Sequence, residues 1–419
     1  MTRRFSTRFF LLFTVVILLT GCQGRERINP FDPRGADEDP FQLRVSSNPE
    51  SIILNWDFID SPDLTEYRVY RSSPEDSMAL YAEVAPGTTQ YTDREITPEQ
   101  TYVYGVTAVG EQNETRLSRL DTITPGYSRW WALADDYSPL VQLSHDGLHS
   151  HRTYGNFGSL EHVVAPRNAN YIFLYDLFDG SVLRQYASGD VNRAVQGVPR
   201  LQEMHYISAT NEIVTVPLSQ AETLQLHDLV NGSRREITMP SSIRGLDTGR
   251  SGVLFVLTGT AVYTISPGSA SKELFFESNL SRSFSAIASI NNQEIFIADT
   301  TNDEVLRIRG QQVEYSVAEI SEPRDLELNH NDESLWIRSR NSQEETYEIY
   351  RHLNAETGRM LAGVPNMLDF AVNPVNNVCI AAGYNRRTLY QISPDGTVRT
   401  AVNMAGRIYK IVVQPLINS

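Results

Sequence analysis

From about residue 127 onward the chain alternates short, continuous apolar runs with polar turns. Seven runs recur: Trp130-Trp131-Ala132-Leu133-Ala134, Tyr171-Ile172-Phe173-Leu174-Tyr175, Ile213-Val214-Thr215-Val216, Val253-Leu254-Phe255-Val256-Leu257, Ile295-Phe296-Ile297-Ala298, Leu335-Trp336-Ile337 and Val378-Cys379-Ile380-Ala381. They begin at residues 130, 171, 213, 253, 295, 335 and 378, so 40 to 43 residues separate neighbours. Runs this short, rich in β-branched and aromatic residues, predict strands buried on both faces. Turn signals such as His145-Asp146-Gly147, Ser266-Pro267-Gly268 and Ser393-Pro394-Asp395-Gly396 lie between them. No stretch here carries a sustained amphipathic helical period.

A period near forty that holds four short strands predicts one β-propeller blade per repeat. A lone four-stranded sheet would leave two apolar faces in water, and a ring of such sheets buries them. The first run, at Trp130, has no first strand ahead of it. Arg407-Ile408-Tyr409-Lys410-Ile411-Val412-Val413 has the pattern of that strand and is similar to Leu368-Asp369-Phe370-Ala371-Val372. The C-terminus is therefore expected to complete the first blade. Tyr171–Tyr186 admits a second reading as a later hairpin of its blade, which would make six blades or an irregular seven. Glu294-Ile295-Phe296-Ile297-Ala298-Asp299-Thr300-Thr301-Asn302-Asp303-Glu304-Val305 resembles the NHL repeat, and the domain as a whole resembles the NHL/YncE-like propellers.

Residues 40–125 show a different rhythm. Ser51-Ile52-Ile53-Leu54-Asn55-Trp56, Glu66-Tyr67-Arg68-Val69-Tyr70-Arg71 and Thr101–Val109 alternate apolar with polar positions, with Pro62-Asp63 and Pro86-Gly87 between them. Such spacing predicts a β-sandwich. Trp56 with Ile96, Pro98, Tyr102, Val106 and Ala108 resembles the fibronectin type III pattern. That resemblance implies a core role for Trp56. It also implies a corner at Tyr102 closed by its hydroxyl on upstream backbone. The expected class is all-β: a fibronectin type III-like sandwich (40–125), then a seven-bladed propeller (127–415) closed by the C-terminal strand.

The first residues differ again. Arg3, Arg4 and Arg8 precede the apolar run Phe9–Leu19, which is too short to span a bilayer but suits a signal peptide. Leu19-Thr20-Gly21-Cys22 resembles a bacterial lipobox. The resemblance implies cleavage after residue 21, acylation of Cys22 and a lipid-anchored chain in the cell envelope. Gln23, rather than Asp, then favours the outer membrane over the inner. Residues 22–39, charged and proline-containing, would be a tether.

Charge and chemistry narrow the function. The chain carries a formal charge of -15, and loss of residues 1–21 with their three arginines makes it more acidic still. Phosphate backbones need a basic footprint, so this charge argues against a nucleic-acid partner, and none is expected. Of two cysteines, Cys22 belongs to the leader and Cys379 lies in an apolar run, so no internal disulfide is expected. His145, His149 and His151 suggest a metal, but solvated histidines on an outer strand beside a turn account for them better. Asp299 and Asp303 suggest calcium, but turn formation is favoured. No hydrolase, zinc or phosphate-loop signature occurs, and no cofactor is implied. Asp135, Asp303, Arg338 and Arg386 are placed at the mouth of the ring as candidate binding residues, Arg338 and Arg386 in loops. The expected function is a non-enzymatic, lipid-anchored platform for a protein or glycan partner. The alternative is a lyase or lactonase-like hydrolase with its site in the central channel.

Overall fold

A computed structural model describes residues 31, 41–135, 140–155, 157–167, 169–249, 251–278, 280–342, 346–353, 358–384, 387–401 and 406–416. The described chain is all β apart from one 3-10 turn, Leu218–Gln220. It divides into two compact units. One is drawn from Met1–Arg44, Asn55–Tyr91 and Val103–Asp121, the other from Val45–Leu54, Thr92–Tyr102 and Thr122–Ser419.

The first unit contains most of a four-stranded antiparallel sheet, ordered Ala79–Val84, Leu64–Ser72, Tyr102–Gly110, Asp121–Ile123. Leu43–Asn48, Ser51–Trp56 and Gln90–Asp93 form a three-stranded sheet. Trp56 is buried against Tyr67, ring centroids 5.4 Å apart, and Tyr67 accepts a hydrogen bond from the Ile59 amide at 2.9 Å. At the expected corner the Thr97 amide donates to the Tyr102 hydroxyl at 2.8 Å.

The second unit carries seven four-stranded antiparallel sheets, taken here in order around the ring. Their inner strands are Ile408–Pro415, Leu160–Val164, Leu201–Ile207, Ile243–Thr248, Phe284–Ser289, Pro323–Asn329 and Met367–Val372. Each inner strand touches the next, and the last touches the first, so the ring is closed. Every apolar run picked out in the sequence belongs to the second strand of a sheet. The run at Tyr171 is the second strand of a complete sheet that begins at Leu160. The C-terminal strand pairs with Ser128–Ala134 from Pro415 opposite Ser128 to Ile408 opposite Ala134, as expected.

Two-sided burial explains why these runs are continuously apolar. Side chains alternate across a strand, so successive residues enter opposite interfaces. Trp130 packs with Ile380 and Leu389 of the seventh sheet; Trp131 packs with Ile172 and Leu174 of the second. Phe255 and Leu257 face the fifth sheet while Leu254 and Val256 face the third. Seven such clusters, one per neighbouring pair, complete the circle. Cys379 is fully buried in one of them, as its apolar run predicts.

Each inner strand also begins with a register shift against its neighbour, between its first and third residues. A bulge bends and twists the strand and re-aims the residue after it. The third positions are His162, Glu203, Gly245, Ala286, Asp325, Asp369 and Lys410. Gln414 seals the closing strand: it accepts from the Trp131 indole N–H at 3.1 Å and donates to the carbonyls of Pro166 and Tyr171.

Closure by the last strand makes Ile411, buried between the first and seventh sheets, a sensitive position. Ile411→Ala is expected to cost about 2–5 kcal/mol in chemical denaturation. A loss below about 0.5 kcal/mol would contradict a closing role for this strand.

Candidate functional site

The third positions of the inner strands bring charge into the middle of the ring. Glu203 senses Lys410, Asp325 and Asp369, which come from the first, sixth and seventh sheets. The third sheet neighbours none of these three, so Glu203 meets their charges across the axis. Lys410 donates to Asp369 at 3.2 Å, and the Ile411 amide donates to the other Asp369 oxygen at 2.8 Å. Two residues further along the strands, Glu327 senses Asp369, Lys410 and Asp247.

These groups titrate far from their ordinary values. Burial pushes Glu203 up to about 7; Asp325 and Asp369 add to this and Lys410 offsets part of it. Burial pushes Glu327 up to about 8, reinforced by Asp369 and Asp247. Asp369 is also raised by burial, which outweighs its bond to Lys410. The Lys410 ammonium is held above the usual lysine range by Asp369 first, against the opposing effect of burial. Solvent reaches the Lys410 side chain, 41% exposed, along the channel although protein surrounds it. Acids that exchange protons near neutrality, beside a fixed ammonium, have the properties of general acid–base groups. Among the described residues no cluster of three or more His, Cys, Asp or Glu is arranged to hold a metal.

At the end of the channel where the inner strands finish lies a cavity of about 350 Å³. Its walls include Arg167, His205, Tyr206, Asp247, Thr248 and His330. Asp247 is fixed by the Ser289 amide and hydroxyl at 2.5 and 2.8 Å and by the Thr248 amide at 2.8 Å. His205 Nε2 lies 2.5 Å from the Thr248 hydroxyl, and burial lowers its pKa, so it is neutral at pH 7.

The four candidate mouth residues have separate fates. Asp135 accepts from the Arg407 amide at 2.9 Å and pairs with its guanidinium at 2.6 Å, fastening the approach to the closing strand. Asp176 and Asp299, at the ends of the corresponding strands, take the Ser159 and Ser283 amides in the same way. Asp303 is exposed at a left-handed turn, φ 53°, and accepts from the Glu322 amide at 2.8 Å. Arg338 is not in a loop: its strand runs from Ser334 to Asn341, because pairing with Thr346–His352 continues to residue 341. Its guanidinium bonds Asp325 and the Leu368 carbonyl. Arg386 lies outside the described residues, as does Cys22. Asp135, Asp303 and Arg338 thus sit where inner strands begin, each engaged by protein groups.

The histidines differ from expectation. His145 is buried, not solvated: Nδ1 meets the Ser128 hydroxyl at 2.6 Å, and Nε2 meets Glu99 at 3.1 Å and the Asn376 side-chain nitrogen at 2.9 Å. His149 pairs with Asp146 at 2.8 Å, and His151 lies on the outer strand Ser150–Tyr154. Asp299 behaves as the turn former foreseen, accepting from Thr301 and Asn302. Sequence reading missed Glu203, His205, Asp247, Asp325 and Glu327. The available signal was polar residues two apart, Glu203/His205 and Asp325/Glu327, just ahead of apolar runs.

Raised carboxyl values make stability depend on pH. Folded Glu203 and Glu327 keep their protons to about 7 and 8, against an ordinary 4.5. Their contribution is present in full below about pH 4.5 and is lost as pH rises through 7 and 8. The urea midpoint is expected to fall across that window, and Glu327→Gln, neutral throughout, should flatten its upper part. Identical profiles for the two proteins would refute this account of Glu327.

No known family's sequence profile matches the chain. Among curated proteins, an amylopullulanase of Thermoanaerobacter thermohydrosulfuricus is 36% identical over 93 residues, which is 22% of this chain and 6% of that protein. A functionally unknown protein from Desulfotomaculum acetoxidans aligns with TM-score 0.55 at 10% identity, over 69% of this chain and 99% of that one. A protein from Lactobacillus plantarum aligns with TM-score 0.52 at 12% identity, over 70% and 99%. The propeller domain of Myceliophteria thermophila Swd1 aligns with TM-score 0.48 at 12% identity, over 61% and 87%. These likenesses concern fold alone; the closed ring of seven four-stranded sheets itself makes this an all-β chain bearing a β-propeller.

Proposed function

We propose that this chain is a lipid-anchored protein of the bacterial cell envelope whose seven sheets act as seven blades and hold a protein or glycan partner. The fibronectin type III-like segment would then be a spacer between tether and propeller in chain order. One observation carries the binding reading. The turns at the rim where inner strands begin expose large apolar side chains: Phe178 (84% exposed), Leu218, Leu280 and Tyr384. These turns belong to one rim because each lies beside the start of an inner strand. Leu218 donates to the Arg200 carbonyl, Tyr384 to that of Asn366, and Gly180 accepts from Val198. Large apolar side chains exposed on turns of several sheets along one rim offer contact points to a partner.

A second reading, a lyase or lactonase-like hydrolase, is favoured by Glu203, Glu327 and Lys410 at the axis, because two acids near neutrality beside an ammonium suit proton transfer. Glu327→Gln separates the two: it should abolish turnover of a lactone panel if the channel is catalytic and leave partner binding intact.

Two measurements test the leading proposal. Cys22→Ala is expected to move the protein from the membrane to the soluble fraction of cells; retention on membranes would exclude lipid as the main anchor. A photo-crosslinker placed at Phe178 should trap one partner in the envelope, and the same group at Val230, in the turn between the third and outer strands of its sheet, should not. Equal trapping at both positions would remove the rim from the argument.

A further inference from the structure

We propose that a small cavity between the first and second sheets, beside the end of the closing strand, binds a tetrahedral dianion: phosphate or sulfate, free or as the ester of a small sugar. This goes beyond the docking role of the rim and does not depend on it.

Strand register gathers the donors. Arg129 and Trp131 share one face of Ser128–Ala134, and Trp131 packs against the second sheet. Gln142 stands opposite Trp131, and Arg152 stands opposite Gln142 on the outer strand. Opposite residues in such a sheet have Cβ atoms roughly 5 Å apart; diagonal pairs such as Arg129 and Gln142 are roughly 7–8 Å apart, within reach of long side chains. His151 is the extra residue of a bulge between Ser150 and Arg152. These four residues line one cavity of about 210 Å³. Sites for larger ligands occupy roughly 300–1,000 Å³, so this one suits a single anionic group on a small molecule.

The donors are not used up by the protein. The Arg129 guanidinium has no hydrogen-bond or ion-pair partner among the described residues, and its Nε is buried. Burial lowers its pKa, and only Tyr154 opposes this. Arg152 donates to the Ala187 and Ser188 carbonyls and lies 4.9 Å from the Tyr154 ring centroid, but pairs with no carboxylate. Gln142, 8% exposed, takes the Tyr154 hydroxyl on Oε1 at 2.8 Å, which leaves its Nε2 without a protein partner. His151 Nδ1 is buried and unpartnered, as is the hydroxyl of Ser47, a cavity residue of the same compact unit. Buried polar atoms are almost always hydrogen-bonded, so several orphans around one cavity point to a ligand that completes them.

Charge selects the class. The chain holds 51 Asp and Glu against 36 Lys and Arg, yet none of the described acids pairs with Arg129 or Arg152. His151 is lowered by burial first and then by Arg129 and Arg152, so it is neutral at pH 7 and adds a donor without adding charge. Two positive charges therefore remain. A dianion balances both and a carboxylate balances one. Guanidinium forks suit the oxygens of phosphate and sulfate, and a tetrahedral group offers oxygens to donors from several strands at once.

Isothermal titration of the full-length folded protein at constant ionic strength tests this, with inorganic phosphate, sulfate, glucose 6-phosphate and acetate as separate probes. At least one of the first three should bind saturably at millimolar concentration or below. Acetate should bind roughly tenfold or more weakly, since it leaves one guanidinium unmatched. Tighter binding of glucose 6-phosphate than of phosphate would identify an ester as the ligand; equal or weaker binding would identify the free anion. Arg129→Gln should weaken dianion binding roughly tenfold or more. Arg152→Gln provides a second variant, at an exposed position of the outer strand where a polar replacement leaves the core untouched, and should weaken binding severalfold. Melting curves in buffer free of phosphate and sulfate confirm that each variant is folded. The proposal is overturned if no dianion binds, if acetate binds as well as the dianions, or if either variant, still folded, binds as the parent does.

Discussion

Everything in the larger unit depends on each sheet having two apolar faces that only its neighbours can cover. One sheet, or an open row of them, would leave at least one such face in water, at a cost of about 25 cal/mol per Å² of exposed apolar surface. The ring removes that cost by making the first sheet also the last sheet's neighbour. The final strand achieves this covalently as well as by packing. It comes from the end of the chain and completes a sheet whose other strands come from the beginning of the domain. Trp130 and Trp131, adjacent in sequence and facing opposite interfaces, show how one dipeptide joins both sides of the seam.

Closure has an electrostatic consequence. Inner strands that meet around an axis bring side chains from distant parts of the chain into one confined space. Glu203, Asp325, Asp369 and Lys410 are spread over more than 200 residues, yet each perturbs another's protonation. Their repulsion is relieved partly by Lys410 and partly by protons retained on Glu203 and Glu327. A network of this kind weakens the folded state as pH rises, and it persists because the surrounding sheets hold it in place. The same confinement concentrates titratable side chains with shifted protonation along the axis.

The two rims are built differently. Where inner strands begin, Asp135, Asp176 and Asp299 recur at the ends of second strands and hold the incoming amide of an inner strand. These aspartates are structural clasps, and the apolar turns beside them supply the exposed surface. Where inner strands end, polar groups surround a cavity. Residues that stand out as charged in the sequence are therefore often used up in fastening turns, and those facing open space are less conspicuous.

The strand periodicity, the forty-residue repeat and the role of the last strand were all legible in the sequence, because alternation and two-sided burial leave a local imprint on neighbouring residues. So was the fate of Cys379 in its apolar run and of Asp299 at its turn. The channel and the cavity were not legible. Glu203, Asp325 and Asp369 look like ordinary surface acids, since nothing nearby in sequence reports that they converge. Nor does local pattern tell that His145 is buried among Ser128, Glu99 and Asn376, or that the strand through Arg338 extends as far as Asn341. Contacts between residues hundreds of positions apart are set by ring closure and the bulge at each inner strand, and these exist only in three dimensions.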